Sequence, residues 1–374
     1  MPYFEDIADH RTCDFRELNF SKIYHGKPTL YLDQNILDKI VEYPVLIEEG
    51  QFAGYNCQVI YSNETLNEIE RSGEPDKFLQ VLESLEARRM TFEVDKNFRM
   101  TGAVIINPYV SPFTVYKKFL YKDSIDKIAS KIIANNMQFI FSLFSNEASN
   151  SIIDYANETS EHFNNIHEQA LEAFKSVKGE ISDDNYRFLE KVIKISFQEQ
   201  SSQLDTIQNS MLENMSNTGI DLKSNNGHNG IRGLEKITKV DGKILNNIKS
   251  PKILEKIYGK YTNSSDTAHI TDFYLVSDKI YGRRLYKFEK VMNVYMMLNI
   301  LGYKRDKGFQ KKYKRLISAN SDGQHLAYAC YCDCFSSEDK AFTEKAKAIF
   351  EFLNIKTRVD HITFTINNVS ECID

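Results

Sequence analysis

The chain has 374 residues, a formal net charge of −5, 42% hydrophobic and 26% charged residues, and no tryptophan. That balance is ordinary for a globular protein, long enough for two domains or one domain with a large insertion, and its mild acidity argues against a general nucleic-acid coat. The longest apolar run, Val291 to Tyr303, is broken by Asn293 and Asn299 and is too short to span a bilayer. No apolar run of the signal-peptide kind opens the chain. The six cysteines, Cys13, Cys57, Cys330, Cys332, Cys334 and Cys372, lack disulfide-framework spacing, so a reduced, cytoplasmic setting without membrane attachment is expected.

Residues 1–27 are polar and mixed and read as an N-terminal extension. Pro28 to Leu32 is a compact apolar run ending in Asp33-Gln34-Asn35, which predicts a buried first strand delivering a carboxylate at its carboxyl end. A helix over Ile36 to Val45 and a second strand over Cys57 to Tyr61 follow. Ser62 is the expected N-cap of the next helix, on which Glu64 and Glu68, four apart, share one face. Pro75 to Met90 is predicted as an amphipathic helix and Thr91 to Val94 as a strand.

From Ser111 the character changes. Tyr116 to Met215 has helical periodicity with no Pro, and Asn214 to Gly233 is rich in Asn, Ser and Gly, the composition of a flexible loop. Helical signal resumes at Leu234 and strengthens from Ile280 to Ile300. Asp322 is then read as opening a helix, where the dipole and orphan N–H groups favour an acid. A short apolar run at Tyr331 to Phe335 breaks into an acidic turn, followed by a helix over Ala341 to Leu353 and a strand over Lys356 to Val359. The grammar at both ends is that of an α/β protein with a parallel sheet flanked by helices. The division predicted is a core in two parts, 28–110 and 281–374, interrupted by an α-helical insertion over 111–280 with its flexible loop near 214–233.

In such a sheet Asp33, Glu68, Asp322 and Asp339 fall on one edge, beyond the carboxyl ends of the strands, where ligands bind. Convergent carboxylates are hard oxygen ligands suited to Mg²⁺ or Mn²⁺, and a metal so held serves phosphodiester hydrolysis. Glu64 competes with Glu68 for the ligand position. His325, one turn after Asp322, reads equally as a group orienting a phosphate or carboxylate and as a packed histidine. At Leu30-Tyr-Leu-Asp33-Gln-Asn35, Ser62-Asn-Glu-Thr-Leu-Asn-Glu68-Ile69, Asp322-Gly-Gln-His325 and Phe335-Ser-Ser337-Glu-Asp339, the sequence resembles the PIN-like nuclease family. The resemblance implies a PIN-like fold in which the four acids bind metal and cut RNA, less often DNA. Ser337 matches the polar residue preceding the last acid, and Asn35 is an accessory residue of the first motif. It covers 28–94 and 287–359 and leaves out the helical middle.

Lys304, Arg305, Lys307, Lys311, Lys312, Lys314 and Arg315 cluster just before Asp322, interleaved with Tyr303, Phe309 and Tyr313. Cations and stacking rings of this kind grip single-stranded nucleic acid, although a charge run is equally a solvated helix face. The alternating Cys330, Cys332 and Cys334 lack a second pair at zinc spacing and read as small buried apolar residues. The sequence thus predicts a Mg²⁺- or Mn²⁺-dependent endoribonuclease acting on RNA. By analogy it is a toxin or antiviral effector governed by an inhibitory or activating protein partner, with homo-oligomerisation an option. Two alternatives stand beside it: a catalytically idle RNA- or protein-binding module, and an aspartyl-nucleophile phosphatase built on Asp33. The phosphatase is disfavoured because position 35 is Asn where an acid is needed.

Overall fold

The computed structural model describes residues 26–44, 46, 56–95, 100–120, 151–175, 178–179, 182–217, 235, 238–262, 269–309 and 313–364. The N-terminal extension and the predicted loop beyond Asn217 therefore lie outside the described residues. Contacts gather the chain into two compact units. The sheet unit draws on 4–117, 242–304 and 321–374; the other draws on 118–241 and 305–320.

The sheet unit is α/β. Its strands are β1 (Thr29–Leu32), β2 (Gln58–Tyr61), β3 (Arg88–Val94), β4 (Met100–Ile106), β5 (Cys334–Ser337) and β6 (Arg358–His361), in the spatial order β4-β3-β2-β1-β5-β6. β4 runs antiparallel to β3, and every other neighbouring pair is parallel. β1 is buried along its whole length, as a central parallel strand covered on both faces must be. The chain leaves β1 towards β2 and β3 on one side and returns to β5 on the other. β1 and β5 therefore flank the topological switch point, whose crevice at the carboxyl ends is where open α/β sheets take ligands. The seam between them is extended past the strands by the Asp33 N–H, which donates to the Ser336 carbonyl at 3.0 Å.

The helices of nine or more residues among the described residues are α1 (Gln34–Glu42), α2 (Asn63–Ser72), α3 (Pro75–Ser84), α4 (Pro112–Leu120), α5 (Ile152–Lys175), α6 (Asp183–Asn217), α7 (Ile253–Tyr261), α8 (Lys287–Leu301), α9 (Tyr313–Ala329) and α10 (Lys340–Phe352). Two of these helices and one strand differ from expectation. α3 stops at Ser84, six residues early: the Ala87 N–H turns back to the Leu82 carbonyl and Glu86 takes a left-handed φ of 47°. The chain is then free to begin β3 at Arg88, and the unpredicted β4 pairs with it from Met90↔Ile106 to Val94↔Met100. α9 begins at Tyr313, so Asp322 lies in its interior and does not open it. The Asp-Gly pair that reads as a helix start has another cause. A Cβ on Gly323 would meet the Met292 sulfur at 3.0 Å and Tyr295 at 3.2 Å, so glycine lets α9 lie close against α8.

α8 and α9 are held to the sheet by an aromatic cluster in which Phe92 packs 4.5 Å from Phe288 and stacks 4.5 Å from Tyr328. In the other unit α5 and α6 pack antiparallel through Phe163–Phe197, His167–Phe197 and Phe174–Tyr186.

Candidate functional site

Asp33 is delivered by the end of β1 and caps α1. Its Oδ1 accepts from the Gln34 N–H at 2.9 Å, and its Oδ2 accepts from the Ser337 hydroxyl at 2.6 Å. Ser337, at the end of β5, in turn accepts from the Asn35 amide at 3.1 Å, and Asn35 Oδ1 accepts from the Glu338 N–H at 3.1 Å. Two strand ends on either side of the switch point are thus locked around one buried carboxylate.

α2 supplies the next acids. Ser62 caps it, its Oγ accepting from the Glu64 and Thr65 N–H groups, and this fixes the rotation that sets Glu64 and Glu68 on one face. The opposing face comes from α9, where Ser321 and His325 are also four apart. The Ser321 hydroxyl is shared between Glu64 Oε1 and Glu68 Oε1, the latter at 2.9 Å. His325 Nε2 meets Glu68 Oε2 at 2.8 Å, and His325 Nδ1 meets the Tyr31 hydroxyl at 2.8 Å. Tyr31 continues to Ser62 Oγ at 2.7 Å. Arg71, half-exposed, donates to Glu64 Oε1 at 3.0 Å and to Ser321 Oγ at 2.9 Å. One donor atom each of Glu64, Glu68 and His325 lies within 4.8 Å of the others.

The charges follow from burial and proximity. Burial pushes the Asp33 carboxyl up to about 6, against the pull of the His325 charge and the Ser337 hydrogen bond, and the Glu68 charge pushes the same way as burial. For Glu68, burial is the largest influence and acts upwards. The hydrogen bonds from His325 and Ser321 and the charges of His325 and Arg71 together outweigh it, and Glu68 is held below its ordinary value. For His325, burial acts downwards, but the Glu68 bond and the charges of Glu68, Asp33 and Glu64 carry it up to about 9. At neutral pH an imidazolium therefore sits among three carboxylates. Both its nitrogens then donate, Nδ1 to the Tyr31 oxygen, and Tyr31 passes its own proton toward Ser62; this assignment comes from the bonding pattern. Tyr31→Phe is expected to cost about 1–3 kcal/mol in urea unfolding, since it removes the acceptor of a buried N–H.

Of the residues singled out from sequence, the structure gathers Glu64, Glu68 and His325 around one point and Asp33, Ser337 and Asn35 around another, and the two groups feel each other through charge. The side chains of Asp322 and Asp339 have other partners, although the Asp339 N–H donates to the Ser337 hydroxyl beside Asp33 at 3.0 Å. Asp322 is one step around α9 from Ser321, and it accepts from the Tyr295 hydroxyl at 3.4 Å. Tyr295 and Asn299 in turn accept from the fully buried Lys345 ammonium, at 3.0 and 3.1 Å. Asp339 caps α10, its Oδ1 accepting from the Phe342 N–H at 2.9 Å. Asp339→Ala should therefore cost about 1 kcal/mol of stability, as the loss of a cap does, and leave any metal-induced thermal shift intact.

The basic segment is only partly free. Lys304 pairs with Glu344, and Arg305 with Glu235 at 3.0 Å; Lys314 and Arg315 are exposed, and Lys311 and Lys312 lie outside the described residues. Sequence reasoning missed Ser321, Tyr31, Arg71 and Asp38, the last set close enough to Glu68 to feel its charge. The signal that finds Ser321 and His325 is a second i, i+4 pair of hydrogen-bonding residues matching Glu64 and Glu68.

The donor set fits a divalent cation. Glu64 and Glu68 offer hard oxygens, and His325 offers an imidazole once it gives up a proton, a group that could hold a metal ion. Beside Asp33, the Gln34 Oε1 is buried without a hydrogen-bond partner, an acceptor that a cation or its hydration shell would satisfy. No helix among the described residues is long and apolar enough to cross a membrane. Comparison with protein-family models, curated proteins and solved structures finds no match for the chain.

Proposed function

We propose that the chain is a divalent-metal-dependent endoribonuclease, built on a PIN-like sheet with a helical insertion, whose metal ligands are Asp33, Glu68 and Glu64 rather than the four acids in sequence order. The observation that carries this reading is a buried carboxylate at the switch point of a parallel sheet, brought into electrostatic contact with Glu68 and His325. Bringing three acids together is unfavourable unless positive charge compensates, and the His325 imidazolium supplies one charge against three. A divalent ion there supplies Lewis-acid activation of water and neutralisation of the scissile phosphate. The chain's own residues do the positioning. Ser337 and Asn35 hold Asp33, Ser321 holds the Glu64–Glu68 pair, and His325 fixes Glu68 and balances the cluster when the cation is absent. The choice of RNA over DNA rests on the family resemblance, and so does the toxin or antiviral setting.

The test is incubation of single-stranded RNA with the purified protein and Mn²⁺. Cleavage leaving 5′-phosphate and 3′-hydroxyl ends, arrested by EDTA, is the expected result; unchanged cutting in excess EDTA overturns the assignment. One observation favours a second reading. Glu64, Glu68, Ser321, His325 and Tyr31 satisfy one another without any ion, as a buried structural network would. An idle binding module of this kind would show neither cleavage nor a Mn²⁺-dependent rise in melting temperature.

A further inference from the structure

Arg89, at the start of β3, is half-buried, and its hydrogen-bond partner is neutral: Nε and one terminal nitrogen donate to Asn63 Oδ1 at 3.1 and 2.6 Å. Among the described residues no carboxylate forms an ion pair with it. Partly buried guanidiniums ordinarily meet an anion, because desolvating an unpaired charge is costly. Its register partner on β2 is Tyr61, so the two side chains leave the same face of the sheet at the same level. Tyr61 is 1% exposed, and its hydroxyl is buried with no hydrogen-bond partner. A cation without an anion thus stands beside a donor without an acceptor, and a single oxyanion supplies both.

The position is adjacent to the acid cluster without belonging to it. Asn63, which holds the guanidinium, precedes Glu64 in the chain, and Tyr328 lies within electrostatic reach of both Glu64 and Arg89. The two N–H groups engaged by Asn63 orient the planar fork, leaving the remaining ones to a ligand, the geometry for which Arg is better suited than Lys. We propose that Arg89 and Tyr61 form an oxyanion subsite that receives a phosphate group of the substrate next to the Asp33–Glu64–Glu68 cluster. That the anion is a substrate phosphate rests on the nuclease reading; that the subsite binds an oxyanion does not.

The experiment compares wild type, Arg89→Met, Arg89→Lys and Tyr61→Phe in EDTA, so that no catalysis contributes. Two probes are used: inorganic phosphate, read by thermal melting, and a short single-stranded 2′-O-methyl RNA, read by binding at several salt concentrations. Phosphate is expected to raise the wild-type Tm and to leave that of Arg89→Met unmoved, with Tyr61→Phe intermediate. RNA affinity should fall about tenfold in Arg89→Met, with the salt slope reduced by about 0.7, the signature of one lost single-strand phosphate contact. Arg89→Lys should retain part of the affinity. Tyr61→Phe removes only an unbonded hydroxyl, so it should melt as the wild type does without phosphate, and its loss of phosphate response is not a folding defect. Equal phosphate shifts and equal RNA affinities in all four proteins overturn the subsite. If the wild type never cuts RNA yet Arg89→Met loses phosphate binding, the subsite stands and the nuclease reading falls. If the wild type cuts and Arg89→Met matches it in KM and phosphate response, the reverse holds.

Discussion

If the chain is the proposed nuclease, Asp33→Asn is expected to abolish metal-dependent cleavage, by about a thousandfold or more, while raising the melting temperature in EDTA. The first effect follows because a positioned metal contributes several kcal/mol to transition-state stabilisation, and each 1.4 kcal/mol is about tenfold in rate. The second follows from the sign of the Asp33 shift. Its folded-state value, about 6, lies above the ordinary 3.8. The stability linked to it is therefore fully present below the ordinary value and lost as pH rises through about 6. At neutral pH the buried, ionised carboxylate is a liability of at most about 3 kcal/mol. Asn keeps Oδ1 for the Gln34 N–H, so the cap survives the change, while its amide nitrogen replaces the oxygen that accepts from Ser337. A net gain on the order of 1 kcal/mol in EDTA is expected by differential scanning calorimetry. A variant that melts lower than wild type in EDTA and still cuts RNA at the wild-type rate would contradict both halves.

Glu68→Ala should be the most destabilising substitution in the site, at about 3–5 kcal/mol, because it strands a buried imidazolium. Glu68 also accepts from Ser321, so the loss extends across the α2–α9 seam. The pair has a pH signature whose direction is opposite to acid unfolding. The folded-state value of His325, about 9, lies above the ordinary 6.5, so its contribution is complete below 6.5 and disappears as pH rises through about 9. The urea midpoint of the wild type should therefore fall across that window, by the equivalent of no more than about 3 kcal/mol. His325→Gln should be flat over the same range. Glu68 acts in the other direction and lower window: held below its ordinary 4.5, it contributes above that value and is lost on acidification. A wild-type midpoint that rises between pH 6.5 and 9 would show that His325 is neutral in the folded protein.

The strand ends were legible in the sequence because their physics is local. An apolar run stopping at Asp33, and Ser62 followed by Thr65 in capping register, announce themselves without knowledge of the rest of the fold. The class of sheet and the placement of Asp33, Glu64, Glu68 and Ser337 at its carboxyl edge follow from these. What was not legible depended on partners distant in the chain. Gly323 looks like a breaker until Met292 and Tyr295 are seen pressing on it. Asp322 then faces the Tyr295–Lys345 network, and the same rotation of α9 brings His325 to Glu68. Asp339 illustrates the opposite case: its position after β5 was read correctly, but the helix beginning at Lys340 claims its carboxylate as a cap. Local pattern located the acids; the rotation of one helix decided which of them meet.

The most direct test of the account is anomalous diffraction from crystals soaked in Mn²⁺, for the wild type and for Asp33→Asn. The account predicts a manganese peak bounded by the carboxylates of Asp33, Glu64 and Glu68 in the wild type, and its loss in the variant. No peak there under saturating Mn²⁺, or a peak seated on Asp322 or Asp339 instead, would contradict it.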